Sequence, residues 1–273
     1  MANSQMQAMA TRNKIIDAMR RDWDSRARKD AFHYIASWRK DWDVSAFLKS
    51  GEEDYERLVA PILERLDFSP HGKAMLELGC GAGRMTRSFA NHFGHVLAFD
   101  VSAEMLERAR PMLHETGNIE WIQGNGVDLA GAASESVDFV FSYLVLQHLP
   151  EDALACNYVR EMLRVLKQGG VCLFQFNGMK RPTMNWKGRF AWGILDTLWT
   201  VRLYSFSKFL AKLIGFDPEM IGRNWHGIAL TTRRVEETVA DSGGAIIEIQ
   251  GKDTPMAWCC AKKVPTRGEP RQK

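Results

Sequence analysis

Residues 74–87 read AMLELGCGAGRMTR and hold the most informative pattern in the chain. A short apolar run containing one acid, Glu77, is followed at once by Gly79, Gly81 and Gly83. The residues after the glycines are typical of a helix, so the segment predicts a strand, a tight turn and a helix. Glycines permit a positive φ and a close ligand approach, and a helix N-terminus offers unpaired N–H groups. The pattern therefore predicts a site for a nucleotide-like ligand.

Two classes of cofactor use such a turn. The dinucleotide fingerprint places glycines at the first, third and sixth positions, but the sixth position from Gly79 is Arg84. The stretch instead resembles the first motif of class I S-adenosylmethionine-dependent methyltransferases, E-x-G-x-G-x-G. The resemblance implies that the backbone of Gly79, Cys80 and Gly81 packs against the methionine part of the cofactor. It also implies that Glu77 orders the loop and meets the cofactor's ammonium group, and Arg84 joins the predicted cofactor-binding set.

The second strand of the pattern ends in an acid. Asp100 lies about 20 residues after the glycine turn, where this family has the acid that accepts both ribose hydroxyls. A carboxylate suits a diol because it offers two acceptor oxygens in a fork. The alternative is a capping or turn acid, but Ser102 already provides the predicted cap of a helix that Pro111 ends. Val101 and Met105 are the cofactor-binding residues predicted beside Asp100.

A turn after the third predicted strand, residues 119–123, should approach the adenine. Gly124, Asn125 and Gly126 form this turn, and Asn125 stands where the family has an aspartate that meets the adenine amino group. An asparagine carbonyl can accept that N–H, and its amide can donate to a ring nitrogen. Asp128 is a nearby alternative acid for the same contact.

The fourth predicted strand and the loop after it, VDFVFSYLVLQHLPED (137–152), give the strongest resemblance to the family. The resemblance implies that Ser142, Tyr143 and Leu144 face the sulfonium. His148 is a candidate general base because its unperturbed pKa lies near neutrality. The alternative, which we favour, is a histidine that holds the loop by bonding to backbone. The other candidate bases are His33, Tyr34, Tyr143 and His226.

Strands and helices alternate from residue 73 onward, which indicates parallel pairing with right-handed crossovers. We expect an α/β fold with a Rossmann-like seven-stranded, mostly parallel sheet, helices on both faces and an antiparallel last strand. Gly169-Gly170 should end the helix before the fifth strand. The predicted units are an N-terminal helical lid (1–72), a cofactor-binding core (73–176), a Trp-rich helical insertion (177–230), closing elements (231–263) and a tail (264–273).

Two helical regions precede the core, over about residues 13–40 and 50–66, while residues 1–12 are expected to fray. The resemblance implies that they form a lid over the cofactor, with Trp23, Phe32, Tyr34, Trp38 and Trp42 as candidate contacts. Packing of these aromatics onto the domain is the favoured alternative, because aromatic stripes more often form core.

Residues 177–230 are too long for an ordinary connection between a strand and a helix. We therefore expect this insertion to determine which acceptor binds. It contains Trp186, Trp192, Trp199 and Trp225, and eight basic residues against three acidic ones. Such an apolar band can cover an active site, and it can also lie on a membrane surface. We favour a cap or lid over membrane contact of residues 186–214.

The 273 residues have a net charge of +3, which does not argue for a nucleic-acid partner. The five cysteines are odd in number and have no metal-site spacing, so they predict reduced thiols in the cytoplasm and no metal site. No apolar run approaches the ~20 residues of a transmembrane helix. The sequence begins without the pattern of a signal peptide.

Together these features predict transfer of a methyl group from S-adenosylmethionine, with S-adenosylhomocysteine as product, to a small or amphipathic organic acceptor. The reaction would be an in-line displacement. Two alternatives remain at this point. One is an NAD(P)-dependent oxidoreductase, against which Arg84 argues, and the other is a non-catalytic protein that binds S-adenosylmethionine.

Overall fold

The computed structural model describes residues 2–179, 191, 194–195, 197–198, 203–213 and 228–265. Its centre is a seven-stranded sheet. The strands are β1 (Ala74–Leu78), β2 (His95–Asp100), β3 (Ile119–Gln123), β4 (Val137–Ser142), β5 (Leu166–Phe176), β6 (Gly244–Gln250) and β7 (Ala257–Lys263). Their order is β3-β2-β1-β4-β5-β7-β6; β1 to β5 pair in parallel, and β7 is antiparallel to both neighbours. The predicted fold class is confirmed.

Helices cover both faces of this sheet. They are α1 (Ala2–Ile35), α2 (Val44–Leu58), α3 (Ala60–Arg65), α4 (Thr86–His92), α5 (Ala103–Met112), α6 (Asp152–Val165), α7 (Tyr204–Leu213) and α8 (Thr232–Asp241). One core packs α6 and α8 on the sheet, and the other packs α2, α3 and α4 on the opposite face. Strands β1, β2 and β4 are buried on both sides, which explains their nearly continuous apolar runs.

The N-terminal boundaries differ from the prediction. Helix α1 begins at Ala2 instead of near residue 13, because alanine, glutamine and methionine favour helix even where no apolar stripe is visible. The single helix predicted over 50–66 is two helices, α2 and α3, which meet at Val59. Pro61 lacks the N–H that would continue α2, so the chain restarts as α3.

Two further predicted breaks lie inside regular elements. Helix α5 begins after Ser102, as predicted, but it continues through Pro111 to Met112. The proline is exposed in the last turn, where the missing hydrogen bond is replaced by solvent. Gly169 and Gly170 lie within β5 instead of ending α6. Gly169 adopts φ +79° where the register between β4 and β5 shifts, and a glycine takes that conformation without strain.

Much of the insertion falls outside the described residues, including Trp186, Trp192, Trp199, Trp225 and His226, as does the tail beyond residue 265. Helix α7 lies in the part that is described. Among the described residues, none of the helices has the length and hydropathy needed to cross a bilayer.

Candidate active site

A cavity of about 260 Å³ opens at the carboxyl edge of the sheet. Residues that follow β1, β2, β3 and β4 form its wall, as expected for parallel sheets of this class. Helix α1 and the residues after it contribute the opposite side through Met19, Trp23, Arg26, His33, Tyr34, Ile35 and Ser37. The glycine turn and the N-terminal helix, which are far apart in the chain, therefore enclose one space.

The glycine turn is bound to the end of β2. The N–H groups of Gly79 and Cys80 both donate to the carbonyl of Phe99, at 2.7 and 2.9 Å. Gly79 has φ +78° and Gly81 has φ +55°, so both use the left-handed region. A Cβ on Gly81 would lie 2.7 Å from Cδ1 of Ile35, which shows how closely α1 covers the turn. The turn thus presents bare backbone to the cavity.

Replacing Gly79 with alanine should destabilise the protein and weaken ligand binding. The new Cβ would lie 2.1 Å from Cγ2 of Val145, and the left-handed backbone adds about 1–2 kcal/mol of strain. Gly72→Ala is the matched control, because Gly72 has φ +72° and nothing within 4 Å of its Cβ position. Thermal unfolding should show a larger fall in Tm for Gly79→Ala than for Gly72→Ala; equal falls would mean that Val145 moves aside freely.

Asp100 sits at the end of β2 with its carboxylate at the cavity. Its Oδ2 accepts from the Gly81 N–H and its Oδ1 from the Ser102 N–H, both at 2.8 Å. Burial raises the pKa of Asp100 to about 6, although these hydrogen bonds oppose the shift, and the nearby Asp24 carboxylate adds to it. A carboxylate that uses one acceptor site on each oxygen retains others, so Asp100 can accept further hydroxyl donors.

Glu77 is buried beside the turn, only 4% exposed. Its Oε2 accepts from the hydroxyl of Thr86, at 2.6 Å, in the first turn of α4. Burial raises the pKa of Glu77 to about 7, while the Thr86 hydrogen bond and the Arg84 charge oppose the rise. A cationic group entering the cavity would favour the ionised carboxylate, so binding of such a group would release a proton near neutral pH.

We expect the ligand-free protein to lose stability as the pH rises from about 4.5 to about 7. Folded Glu77 holds its proton up to a pKa of about 7, whereas the unfolded chain releases it near 4.5, so deprotonation favours unfolding across this window. The full difference corresponds to about 3 kcal/mol. Thermal unfolding of Glu77→Gln should show a flatter dependence on pH. If the pH dependence of stability is the same in Glu77→Gln and the wild type, other groups cause it, and Asp100 is the next candidate.

Polar contacts fasten α1 over the cavity. The Ser102 hydroxyl donates to Oδ1 of Asp24, at 2.6 Å, and Nη1 of Arg28 donates to Oε1 of Glu104, at 2.7 Å. Nη2 of Arg20 donates to the carbonyl of Asn125, at 3.0 Å. These bonds join α1 to the start of α5 and to the turn after β3, so the N-terminal helix is attached at the residues predicted to hold the ribose and adenine.

Arg84 lines the cavity, but its guanidinium bonds to residues of α2. Nη1 lies 2.7 Å from Oδ2 of Asp54 and donates to the carbonyl of Ser50 at 3.0 Å. Trp38 covers the same guanidinium, with 5.4 Å between Cζ and the ring centroid. The side chain therefore joins the glycine turn to α2. These bonds indicate a structural role for Arg84 and not a direct contact with the cofactor.

Three predicted cofactor residues do not line the cavity: Asn125, Gly126 and Ser142. The Asn125 carbonyl Oδ1 accepts from the N–H groups of Val127 and Asp128, and its amide donates to Oδ1 of Asp128 at 2.6 Å. Its side chain is thus used within its own loop. Asp128, the alternative acid, does line the cavity. Glu77, Gly79, Cys80, Gly81, Asp100, Val101, Met105 and Gly124 all line it.

The candidate bases Tyr34, Tyr143 and His148 line the same cavity, and so does His33. His148 meets Trp23 edge-on at 5.6 Å, and its Nε2 lies 3.3 Å from Nε2 of Gln147. Burial raises the pKa of Tyr143, and the Asp54 charge adds to this effect. A tyrosine with a raised pKa keeps its proton, so Tyr143 suits a hydrogen-bond donor better than a base.

The structure adds one residue that local patterns did not reveal. Gln175 is fully buried on β5, where its Oε1 accepts from Leu144 N–H and its Nε2 donates to Gln147 Oε1, both at 3.2 Å, and to the Pro255 carbonyl at 2.8 Å. Leu144 has φ +58°, a strained conformation for this residue. Gln175 therefore holds the loop after β4 against the β6–β7 turn. The signal in the sequence was a glutamine within the apolar second half of β5, residues 171–176.

Comparisons with known proteins agree with this geometry. The family model of the methyltransferase domain matches residues 76–174, which span β1 to β5. Residues 76–174 are therefore similar to a methyltransferase domain, and they include all or most of each of the five parallel strands of the sheet. Outside the matched residues lie α1, α2, α3 and the residues after β5. Of these, α1 and the residues directly after it line the cavity, and the residues after β5 include the closing strands β6 and β7.

Alignments with curated relatives cover about half of this chain. Trans-aconitate 2-methyltransferase of Azoarcus sp. is 34% identical over 137 residues, 49% of this chain and 50% of that protein. Ubiquinone biosynthesis O-methyltransferase of Proteus mirabilis is 31% identical over 147 residues, 53% of this chain and 57% of that protein. The chain spans about half the length of these relatives. The crystal structure of magnesium protoporphyrin IX methyltransferase from Synechocystis with bound SAH has a TM-score of 0.59, at 17% identity, over 90% of this chain and 99% of that one, which shows the shared fold.

Proposed function

We propose that this chain transfers a methyl group from S-adenosylmethionine to a small or amphipathic organic acceptor. The observation that carries the proposal is the convergence of Glu77, Asp100 and the left-handed glycine turn on one cavity beside α1. The names of the curated relatives, a trans-aconitate 2-methyltransferase and a ubiquinone biosynthesis O-methyltransferase, support small organic acceptors.

The donors and acceptors around the cavity fit this cofactor. Asp100 would accept the ribose hydroxyls, and Glu77 would meet the ammonium group, for which its buried carboxylate is suited. Asp128 would accept from the adenine amino group. The backbone of the turn at Gly79 and Gly81 would pack against the methionine part, because a Cβ at either position has no room.

S-adenosylmethionine, when bound, supplies a methyl group that its sulfonium makes electrophilic. The chain's own contribution is alignment and exclusion of water. Trp23 and Tyr34 of α1 cover the cavity, and Tyr143 and Leu144 form the wall at the end of β4. His148, Tyr34 and Tyr143 are the candidates for holding or accepting a proton, which is needed only when the acceptor arrives protonated.

We assign residues 1–72 to a lid and 177–230 to a segment that selects the acceptor. All five cysteines are buried and free, which fits a reducing compartment such as the cytoplasm.

Calorimetric titration of the purified protein with S-adenosylmethionine, S-adenosylhomocysteine and NADH tests the proposal. We expect saturable, micromolar binding of the first two and no heat with NADH. Binding of NADH alone would instead support an oxidoreductase, and a folded protein that binds none of the three would overturn the assignment. Screening acceptors for released S-adenosylhomocysteine follows; binding without transfer to any acceptor would favour a non-catalytic role.

A further inference from the structure

Helix α7 carries an apolar face that the active-site cavity does not use. This face consists of Leu203, just before the helix, and Phe206, Phe209 and Leu213, which are 52%, 54%, 63% and 71% exposed. The spacing of three and four places them along one side of the helix. They are four of the ten large hydrophobic residues that are exposed among the described part of the chain. Single exposed hydrophobic residues are common on protein surfaces, whereas these four lie together on one side of one helix.

The other side of α7 packs against its own segment. Ala211 is fully buried together with Leu195, and the Ser207 hydroxyl donates to the Leu195 carbonyl at 3.0 Å. Leu210 is partly buried against the same pair, whereas the four large apolar residues named above stay exposed. A helix that completes a protein core should bury such residues, because a core helix turns its large apolar side chains inward.

The positive charge of the chain is concentrated in the stretch of sequence that contains this helix. Residues 177–230 contain eight basic and three acidic residues, so they carry a net charge of +5, whereas the whole chain carries +3 and the remainder is net negative. Lys212, within α7, is exposed. Apolar residues flanked by basic ones suit an anionic lipid surface, where burial of the apolar face and attraction to the headgroups act together.

Both ends of this segment are anchored beside the cavity. The N–H of Ile228 donates to the carbonyl of Gln147, at 3.0 Å, and the N–H of Leu230 donates to the carbonyl of Asn177, at 2.8 Å. Gln147 itself lines the cavity. The segment of chain that contains α7 therefore begins and ends near the candidate active site.

We propose that the apolar face of α7 docks on an anionic phospholipid bilayer, as a peripheral contact that does not span it. The docking rests on the helix and its charge alone. Its consequence for the acceptor rests on the proposed function: a methyltransferase docked on a bilayer would take an acceptor that is dissolved in that bilayer. This narrows the substrate class from small organic molecules to amphipathic ones that partition into lipid.

Co-sedimentation with vesicles tests the docking. We expect the wild-type protein to sediment with vesicles of equal parts phosphatidylcholine and phosphatidylglycerol at low salt, and less at high salt or with phosphatidylcholine alone. Phe206→Ser combined with Phe209→Ser should lower the partition coefficient about tenfold or more, because two large apolar groups no longer enter the interface. Ile247→Ser is the matched control, since Ile247 is 40% exposed on β6.

Calorimetry with S-adenosylhomocysteine on the same variants separates the two proposals. Unchanged binding of that ligand would show that the variants are folded, and any loss of sedimentation then belongs to α7. Wild-type protein that stays in the supernatant with anionic vesicles would overturn the docking while leaving the proposed function standing. A wild-type dimer in light scattering that the double serine variant converts to a monomer would also overturn it, because a second copy would then cover the face.

Discussion

Replacing Asp100 with alanine should raise the Kd for S-adenosylmethionine by about a hundredfold or more. Hydrogen bonds to a charged group contribute about 1.5–3 kcal/mol each, and the ribose would lose two of them. The substitution also removes the acceptor for the N–H groups of Gly81 and Ser102, which hold the glycine turn and the start of α5. Calorimetric titration of the variant with S-adenosylmethionine and S-adenosylhomocysteine measures the effect.

Asp100→Asn distinguishes charge from shape. The amide keeps one acceptor oxygen, so we expect a smaller loss, about tenfold, than for alanine. Because the pKa of Asp100 is raised to about 6, wild-type affinity should fall below that pH as the carboxylate gains a proton, and Asp100→Asn should lack this part of the pH dependence. Glu77 contributes its own dependence at higher pH, so the comparison is made between variants at each pH.

Asp138→Ala provides the matched control. Asp138 is also a strand carboxylate that accepts from a backbone N–H, that of Ala74 at 3.0 Å, and pairs with Lys167 at 2.8 Å. It lies near the start of β4, at the opposite edge of the sheet from the cavity. We expect Asp138→Ala to lower the stability of the protein and to leave the Kd for S-adenosylmethionine unchanged. Wild-type affinity in folded Asp100→Ala would remove Asp100 from the ribose site.

The parts of this fold that local patterns predict are those with a local cause. Buried parallel strands have apolar runs that end in a turn, so one strand was predicted directly before the glycine turn and another ending at Asp100, where β1 and β2 lie. Asp100 follows from position alone, because an acid at the end of β2 must lie at the carboxyl edge. Ser102 was predicted as a helix cap for the same kind of reason, and its hydroxyl accepts from the Met105 N–H.

Other parts depend on contacts between distant segments. Asn125 and Asp128 were both predicted as candidates, and only Asp128 lines the cavity, because the Asn125 side chain bonds within its own loop. Spacing in the sequence does not distinguish the two. The charge partner of Arg84 comes from α2, thirty residues earlier in the chain. The exposed side of α7 was equally invisible, because a stripe of apolar residues looks the same whether protein, lipid or solvent lies against it.

Removing the carboxylate of Asp54 should lower the free energy of unfolding by about 3–5 kcal/mol. Asp54 and Arg84 form an ion pair whose side chains are 11% and 5% exposed, with 2.7 Å between Oδ2 and Nη1. In Asp54→Ala the guanidinium would stay buried with neutral acceptors only, such as the Ser50 carbonyl. Arg57 also pairs with Asp54 but is exposed, so its loss of a partner adds little.

Denaturant unfolding with two controls isolates the buried pair. Glu237→Ala breaks an exposed pair with Arg233, 87% and 46% exposed, and should change stability by less than about 1 kcal/mol. Asp54→Ala combined with Arg84→Met should recover part of the loss, because no uncompensated charge is then buried. The double variant should still bind S-adenosylmethionine more weakly than the wild type, since α2 no longer holds the glycine turn. Equal losses in Asp54→Ala and Glu237→Ala would show that Arg84 reaches solvent once its partner is gone.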